Sequence, residues 1–193
     1  MKKLRALASI RHSSCYQALA CLMLRLLLLR HAEAVAHAAS GDIERRLTAA
    51  GRAGAARIGA YFRKSGLAPD FVLVSPSRRT RETLEIVERE LARELSTAIE
   101  PSLYSASLSA LLDALARAPA IVKTLLIVGH NPSLAEVANA LAKDGEGAGL
   151  ARMRSQFPAP CLAVIDFHED DWSEARSRGG TLDRFVTLAT LSG

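Results

Sequence analysis

A three-layer α/β/α sandwich with a mostly parallel sheet is the fold that this chain of 193 residues predicts. Three observations carry that expectation. Short apolar runs at Met23 to Leu29, Phe71 to Val74 and Thr124 to Val128 each break abruptly into polar residues, as strands buried on both faces of a parallel sheet do. Helical patterns separate these runs. Two further strand-like segments near the end follow one another without a strong helical pattern between them, which adds an antiparallel element. The length and the 49% hydrophobic content suit one core and exclude a disordered or collagen-like chain.

The first strand, Met-Leu-Arg-Leu-Leu-Leu-Leu, needs burial on both sides to be stable. After it, Thr48 caps a helix that carries Ala50, Ile58, Tyr61 and Phe62 and stops at Gly66. Pro69-Asp70 turns the chain into the second strand, Phe71 to Val74, which Ser75-Pro76 ends. Thr80 to Leu95 places Leu84, Val87, Leu91 and Leu95 at helical spacing among alternating Arg and Glu, an amphipathic helix lying on a sheet. A helix from Ser107 to Ala118 is stopped by Pro119, and Thr124 to Val128 forms the third strand. Gly129-His130-Asn131-Pro132 breaks that strand before a helix from Ser133 to Lys143. Gly145, Gly147 and Gly149 mark a loop. Cys161 to Phe167 and Thr181 to Leu188 are strands joined by an acidic turn, His168 to Gly180. About twenty-five residues lie between Leu95 and Ala120, which leaves no room for a large lid insertion.

The formal charge of +5 belongs mostly to the beginning of the chain. Met1 to Leu22 holds Lys2, Lys3, Arg5 and Arg11 and no acid, while the rest balances 21 basic against 20 acidic residues. A near-neutral body gives no reason to expect nucleic acid as a partner. Arg25 interrupts the longest apolar run, so no membrane anchor is expected. Residues 1–22 are read as a leader, disordered or upstream of a second start at Met23, and residues 23–193 as a single catalytic domain. Cys15, Cys21 and Cys161 show no ligand spacing and are odd in number, which predicts a reducing, cytoplasmic setting and no structural metal.

Polar residues with chemistry to offer gather at three strand ends: Arg30-His31-Ala32-Glu33, Ser75 to Arg81, and Gly129-His130-Asn131. In an open α/β sheet the carboxyl ends of neighbouring strands share one crevice. Each segment alone has a plainer explanation, a solvated arginine or a structural histidine. Together, Arg30, Arg79, His31 and His130 surround a small anion, and two guanidinium forks with two imidazoles suit a phosphoryl group.

At these residues the sequence resembles the histidine phosphatase superfamily, also called phosphoglycerate mutase-like. The family's Arg-His-Gly stands here as Arg30-His31-Ala32 and its Leu-Thr-x-x-Gly as Leu47-Thr48-Ala49-Ala50-Gly51. Its Ser-Pro-x-x-Arg-x-x-x-Thr runs from Ser75 to Thr83, and its Gly-His segment is Gly129-His130-Asn131-Pro132. The likeness covers roughly Met23 to Leu188, and the missing lid points to the short branch of phosphohistidine phosphatases. It implies that His31 accepts the phosphoryl group, that Arg30 and Arg79 clamp it, that His130 steadies its charge, and that no cofactor or metal is needed. Ala32 replaces the motif glycine, and the turn is expected to accommodate its methyl.

The proton donor is left open by the resemblance. Capped relatives place an acid after the second helix, where this chain reads Glu100-Pro101-Ser102-Leu103-Tyr104-Ser105. Glu33 and Glu100 are the candidates, with water as the alternative. The substrate is expected to be a phosphorylated protein or a small phosphorylated compound. Small-metabolite phosphatase, mutase and inactive phosphate-binding module are the rival readings. Arg45, Arg46 and Arg78 near the rim are expected to favour an acidic partner face. The glycines Gly51, Gly54 and Gly59 do not have dinucleotide-binding spacing and are read as close-packing positions of a helix.

Overall fold

The computed structural model describes residues 24–191, so the leader assigned to residues 1–22 and the start at Met23 lie outside the described residues. A seven-stranded sheet forms the middle layer. It comprises β1 (Leu24–Arg30), β2 (Phe71–Val74), β3 (Thr97–Ile99), β4 (Thr124–Gly129), β5 (Ala142–Gly145), β6 (Cys161–Phe167) and β7 (Gly180–Thr187) in the order β3-β2-β4-β1-β6-β7-β5. Only β6 runs against its neighbours, β1 and β7, and the other pairings are parallel. The expected sandwich with one antiparallel element is therefore the fold observed.

The leucine run of β1 sits at the centre because both of its faces are apolar. Leu24, Leu26 and Leu28 pack into one core with Leu125, Ile127 and side chains of α3 (Leu108–Ala116), α4 (Ser133–Leu141), α5 (Gly147–Ser155) and α6 (Trp172–Arg178). Leu27 and Leu29 point the other way, into a core with Ile58 and Phe62 of α1 (Ala49–Lys64) and Leu84 and Val87 of α2 (Arg78–Leu91). This alternation is the two-residue period of a strand. Each buried leucine contributes roughly 1.5–3 kcal/mol, enough to explain why this run takes the middle of the sheet. Its one charged interior residue, Arg25, is the cross-strand partner of Asp166 on β6 and donates to it twice, at 2.6 and 2.7 Å.

Five elements depart from the sequence expectation. α2 begins at Arg78 rather than Thr80, because the Ser77 hydroxyl caps it, and ends before Leu95 at Ala92, whose φ of 51° is left-handed. The end of the helix expected to reach Lys143 and the glycine loop after it form β5 and then α5, whose first turn is held by the Glu146 carboxylate accepting from the amides of Ala148 and Gly149. The acidic turn contains α6, capped by Asp171, and Trp172 is buried with its indole N–H donating to the Val122 carbonyl at 2.9 Å. The short edge strand β3 has an exposed pattern and gives no apolar signal. Between β3 and α3 lies a single 3-10 turn, Pro101–Leu103, and no lid is inserted. Among the described residues no helix is long and apolar enough to cross a membrane.

Candidate active site

Adjacent parallel strands β2, β4 and β1 end side by side, with Val74 opposite Val128 and Arg30 opposite Gly129. The residues immediately beyond are tied across the gap: the His31 amide donates to the Gly129 carbonyl at 3.1 Å and the Ser75 amide to the Val128 carbonyl at 3.0 Å. This register brings the His31 and His130 rings to 5.1 Å between centroids, at 60°.

His31 Nδ1 lies 2.7 Å from the Ala32 carbonyl oxygen. A carbonyl only accepts, so Nδ1 holds the ring proton and Nε2 keeps a free lone pair. Burial, with smaller contributions from the cations Arg79, Arg30 and Arg45, lowers the His31 pKa to about 4. The ring is neutral at neutral pH and is a competent nucleophile there. Ala32 is fully buried beside Leu47, Ala55 and Ile86. Ala92 is the one non-glycine residue with positive φ among the described residues, so the methyl at position 32 strains nothing. The first turn of α1 presses on this loop, for a Cβ on Gly51 would stand 2.0 Å from the Glu33 carbonyl oxygen. Gly54 and Gly59 likewise abut Pro160 and Glu90, as the close-packing reading expects.

The two arginines are held differently. Arg30 donates to the Phe157 carbonyl through Nη1, and its Nε is buried without a partner. Arg79, 6% exposed, donates to the Asp42 carbonyl at 2.8 Å and to Asp42 Oδ2 at 3.1 Å, and its Nε also has no partner. Asp42 opens a 3-10 turn, Asp42–Glu44, and further accepts from Arg45 at 2.8 Å and from the Tyr104 hydroxyl at 2.7 Å. Those bonds, Arg45 first, hold its carboxyl well below the usual range, so Asp42 is ionised. The Tyr104 ring completes the enclosure, 5.9 Å from the Arg79 guanidinium carbon and edge-on to His130 at 5.9 Å.

His130 is 8% exposed, and burial, followed by the nearby His31 and Arg79, lowers its pKa to about 3. Its Nε2 lies 2.8 Å from Ser75 Oγ, while Nδ1 is buried without a partner. Asn131 donates to the same Phe157 carbonyl that Arg30 uses, at 3.0 Å.

The structure thus brings together Arg30, His31, Arg79 and His130. The two acid candidates have other partners. The Glu33 carboxylate accepts from the Thr48 hydroxyl at 2.7 Å, and the Glu100 carboxylate accepts from the amide and hydroxyl of Ser102, with Arg117 at 3.8 Å. Arg45 and Arg78 are less available to a partner than their sequence suggests, because they bond Asp42 and Glu82. Asp42, Tyr104, Ser75 and Thr83 escaped assignment. Ser75, Thr83 and Tyr104 sit inside the quoted segments, whereas Asp42 meets Arg79 across 37 positions and has no local signature.

Neutral histidines between arginines at the carboxyl edge of a parallel sheet, on this fold, define an α/β phosphatase. Residues 26–109 match the model of the histidine phosphatase superfamily, branch 1. The uncharacterized protein Rv1276c of Mycobacterium tuberculosis is 30% identical over 139 residues, 71% of this chain and 85% of that protein. A chain from Nakamurella multipartitia, provisionally named phosphohistidine phosphatase SixA, superposes with a TM-score of 0.75 at 26% identity, covering 86% of this chain and 97% of its own. A similarly named chain from Agrobacterium tumefaciens gives 0.72 at 28%, covering 85% and 97%. The chain belongs to the histidine phosphatase superfamily, in its short SixA-like branch.

Proposed function

We propose that the chain hydrolyses phosphohistidine through a covalent intermediate on His31 Nε2. The observation that carries this reading is the state of the acids. Asp42, the carboxylate joined to the cluster among the described residues, is ionised, and Glu33 and Glu100 are bonded elsewhere. An alcohol leaving group needs a proton from such an acid. A phosphorylated imidazole already protonated on its other nitrogen does not.

In the first step Nε2 bonds to phosphorus, the P–N bond of the substrate breaks, and its electron pair stays on the departing nitrogen, which leaves in a neutral ring. Arg30, Arg79 and His130 face the charge on the phosphoryl oxygens, the kind of preorganised stabilisation whose removal costs about 10²–10³ in rate. Water then attacks phosphorus, the Nε2–P bond breaks with its pair returning to Nε2, Nδ1 keeps its proton throughout, and both protons of the water leave on the product as dihydrogen phosphate. The site without a lid suits a phosphorylated protein, whose contacts outside the crevice add binding energy.

The test compares a phosphohistidine peptide with 3-phosphoglycerate and aryl phosphates, and traps radiolabelled phosphate on the protein. Label that is acid-labile, base-stable and absent from His31→Ala is expected, with kcat/KM for the peptide far above that for 3-phosphoglycerate and aryl esters faster than alkyl ones. Equal efficiency on 3-phosphoglycerate would reject the phosphohistidine substrate, and label surviving in His31→Ala would reject the nucleophile.

A further inference from the structure

The two ring nitrogens of His130 have opposite surroundings, and a neutral imidazole has one proton to give them. If Nδ1 holds it, His130 offers a donor to an anion. If Nε2 holds it, Nδ1 presents a lone pair instead.

The hydroxyls behind the ring decide between these forms. Thr80 Oγ1 lies 2.7 Å from the carbonyls of both Ser75 and Ser77 and spends its proton there. Its oxygen is then an acceptor for the Ser77 hydroxyl, 2.8 Å away. Ser77 Oγ stands 3.5 Å from His130 Nε2 with its proton already engaged. Ser75 is completely buried, and among the described residues the partner of its hydroxyl is His130 Nε2. With Ser75 donating to Nε2, every proton in this chain of hydroxyls has an acceptor, and the one unmet group is Nδ1–H. With Nε2–H donating to Ser75, the serine proton and the Nδ1 lone pair are both left buried and unmet. Each unmet buried group costs about 1–3 kcal/mol, so the first arrangement prevails.

We propose that Ser75 is a positioning residue that fixes His130 as its Nδ1–H tautomer, aiming one more donor at the transferred phosphoryl group. The proposal rests on the phosphatase reading for its consequence and on the hydrogen bonds alone for the tautomer. Nε2 faces Ser75, which leaves Nδ1 as the ring nitrogen without a partner, in a ring whose centroid stands 5.1 Å from that of His31 and 5.9 Å from that of Tyr104. An incoming oxyanion supplies the acceptor that Nδ1 lacks.

Ring nitrogen chemical shifts of the ¹⁵N-histidine-labelled full chain at pH 7 read the tautomer directly, without turnover. Wild type is expected to show His130 protonated at Nδ1. Ser75→Ala, which removes one buried atom, is expected to fold, to move the proton to Nε2 in a substantial fraction of molecules, and to lower kcat roughly tenfold to a hundredfold, less than the full loss of an oxyanion donor. Ser75→Thr, which keeps the hydroxyl, is expected to restore both readouts. An Nε2–H ring in wild type, or an Nδ1–H ring that persists in Ser75→Ala, overturns the proposal. A tautomer that switches while kcat stays at the wild-type value also overturns it as a statement about the reaction. Labelling at His31, measured separately, then shows whether the phosphatase reading survives.

Discussion

The backbone amide of Ala32 donates to the Thr83 hydroxyl at 3.0 Å, and that hydroxyl donates in turn to the Arg79 carbonyl at 2.7 Å. One buried side chain thereby links the loop of the nucleophile to the helix of a clamping arginine. Thr83→Val keeps the volume and strands the Ala32 amide, which is expected to cost about 1–3 kcal/mol in chemical denaturation and to lower turnover more than its stability loss explains. Thr83→Ser should recover both. Wild-type turnover and stability in Thr83→Val would mean that the bond positions nothing.

Asp42 occupies the fork of Arg79 with a negative charge where the substrate must bring its own. Removing that charge in Asp42→Asn is expected to tighten vanadate or tungstate inhibition by roughly tenfold, the scale of a charge interaction near a protein surface. Weaker inhibition would show instead that Asp42 holds Arg79 in its working position.

Gly51 allows α1 to approach the loop that follows His31. Gly51→Ala forces a methyl to within 2.0 Å of the Glu33 carbonyl oxygen, so helix or loop must move. A loss of about 1–3 kcal/mol with reduced turnover is expected. Gly147→Ala, whose Cβ meets nothing within 4 Å, serves as the comparison and should be close to neutral. A Gly51→Ala protein as stable and active as that one would refute the contact.

Stability should fall as the medium becomes acid, before the carboxylates titrate. The folded values of His31 and His130, about 4 and about 3, lie below the ordinary 6.5 of an unfolded histidine. Above pH 6.5 both states are neutral and nothing changes. Between about 6.5 and 4 the unfolded chain takes up protons that the folded chain refuses, so stability drops by about 1 kcal/mol per pH unit for each histidine. Urea midpoints should therefore decline from pH 7 to 4.5 in wild type and flatten in the His31→Gln, His130→Gln double variant. An equal decline in both proteins would assign the effect elsewhere.

The strands and helices around the site were legible because each is a continuous signal: a leucine run, a Thr or Ser cap, a Pro stop. The four residues at the strand ends were legible because parallel strands force their carboxyl ends together, whatever lies between them in the chain. Asp42 was not, since its partners Arg79 and Tyr104 come from α2 and the turn after β3, and only the folded chain juxtaposes them. Glu100 misled for the converse reason, as an acid near the right place whose side chain closes its own turn on Ser102. α5 and α6 were hidden behind glycines and acidic residues that act as caps and first-turn residues rather than as loop formers.

A run of four leucines tells a neighbouring strand almost nothing about where to begin pairing. Leu26 to Leu29 would accept β6 at several offsets with similar burial, yet a slip by one residue turns every β6 side chain to the other face and moves Cys161, with the Phe157 carbonyl just before it, away from Arg30. The Arg25 guanidinium and the Asp166 carboxylate, joined by two bonds, remove that ambiguity. Offset by one position, the charges part and one turns inward against hydrocarbon. The pair is a punctuation mark in an otherwise repetitive strand, and the alignment of a site at one end of β1 is written by an ion pair at the other.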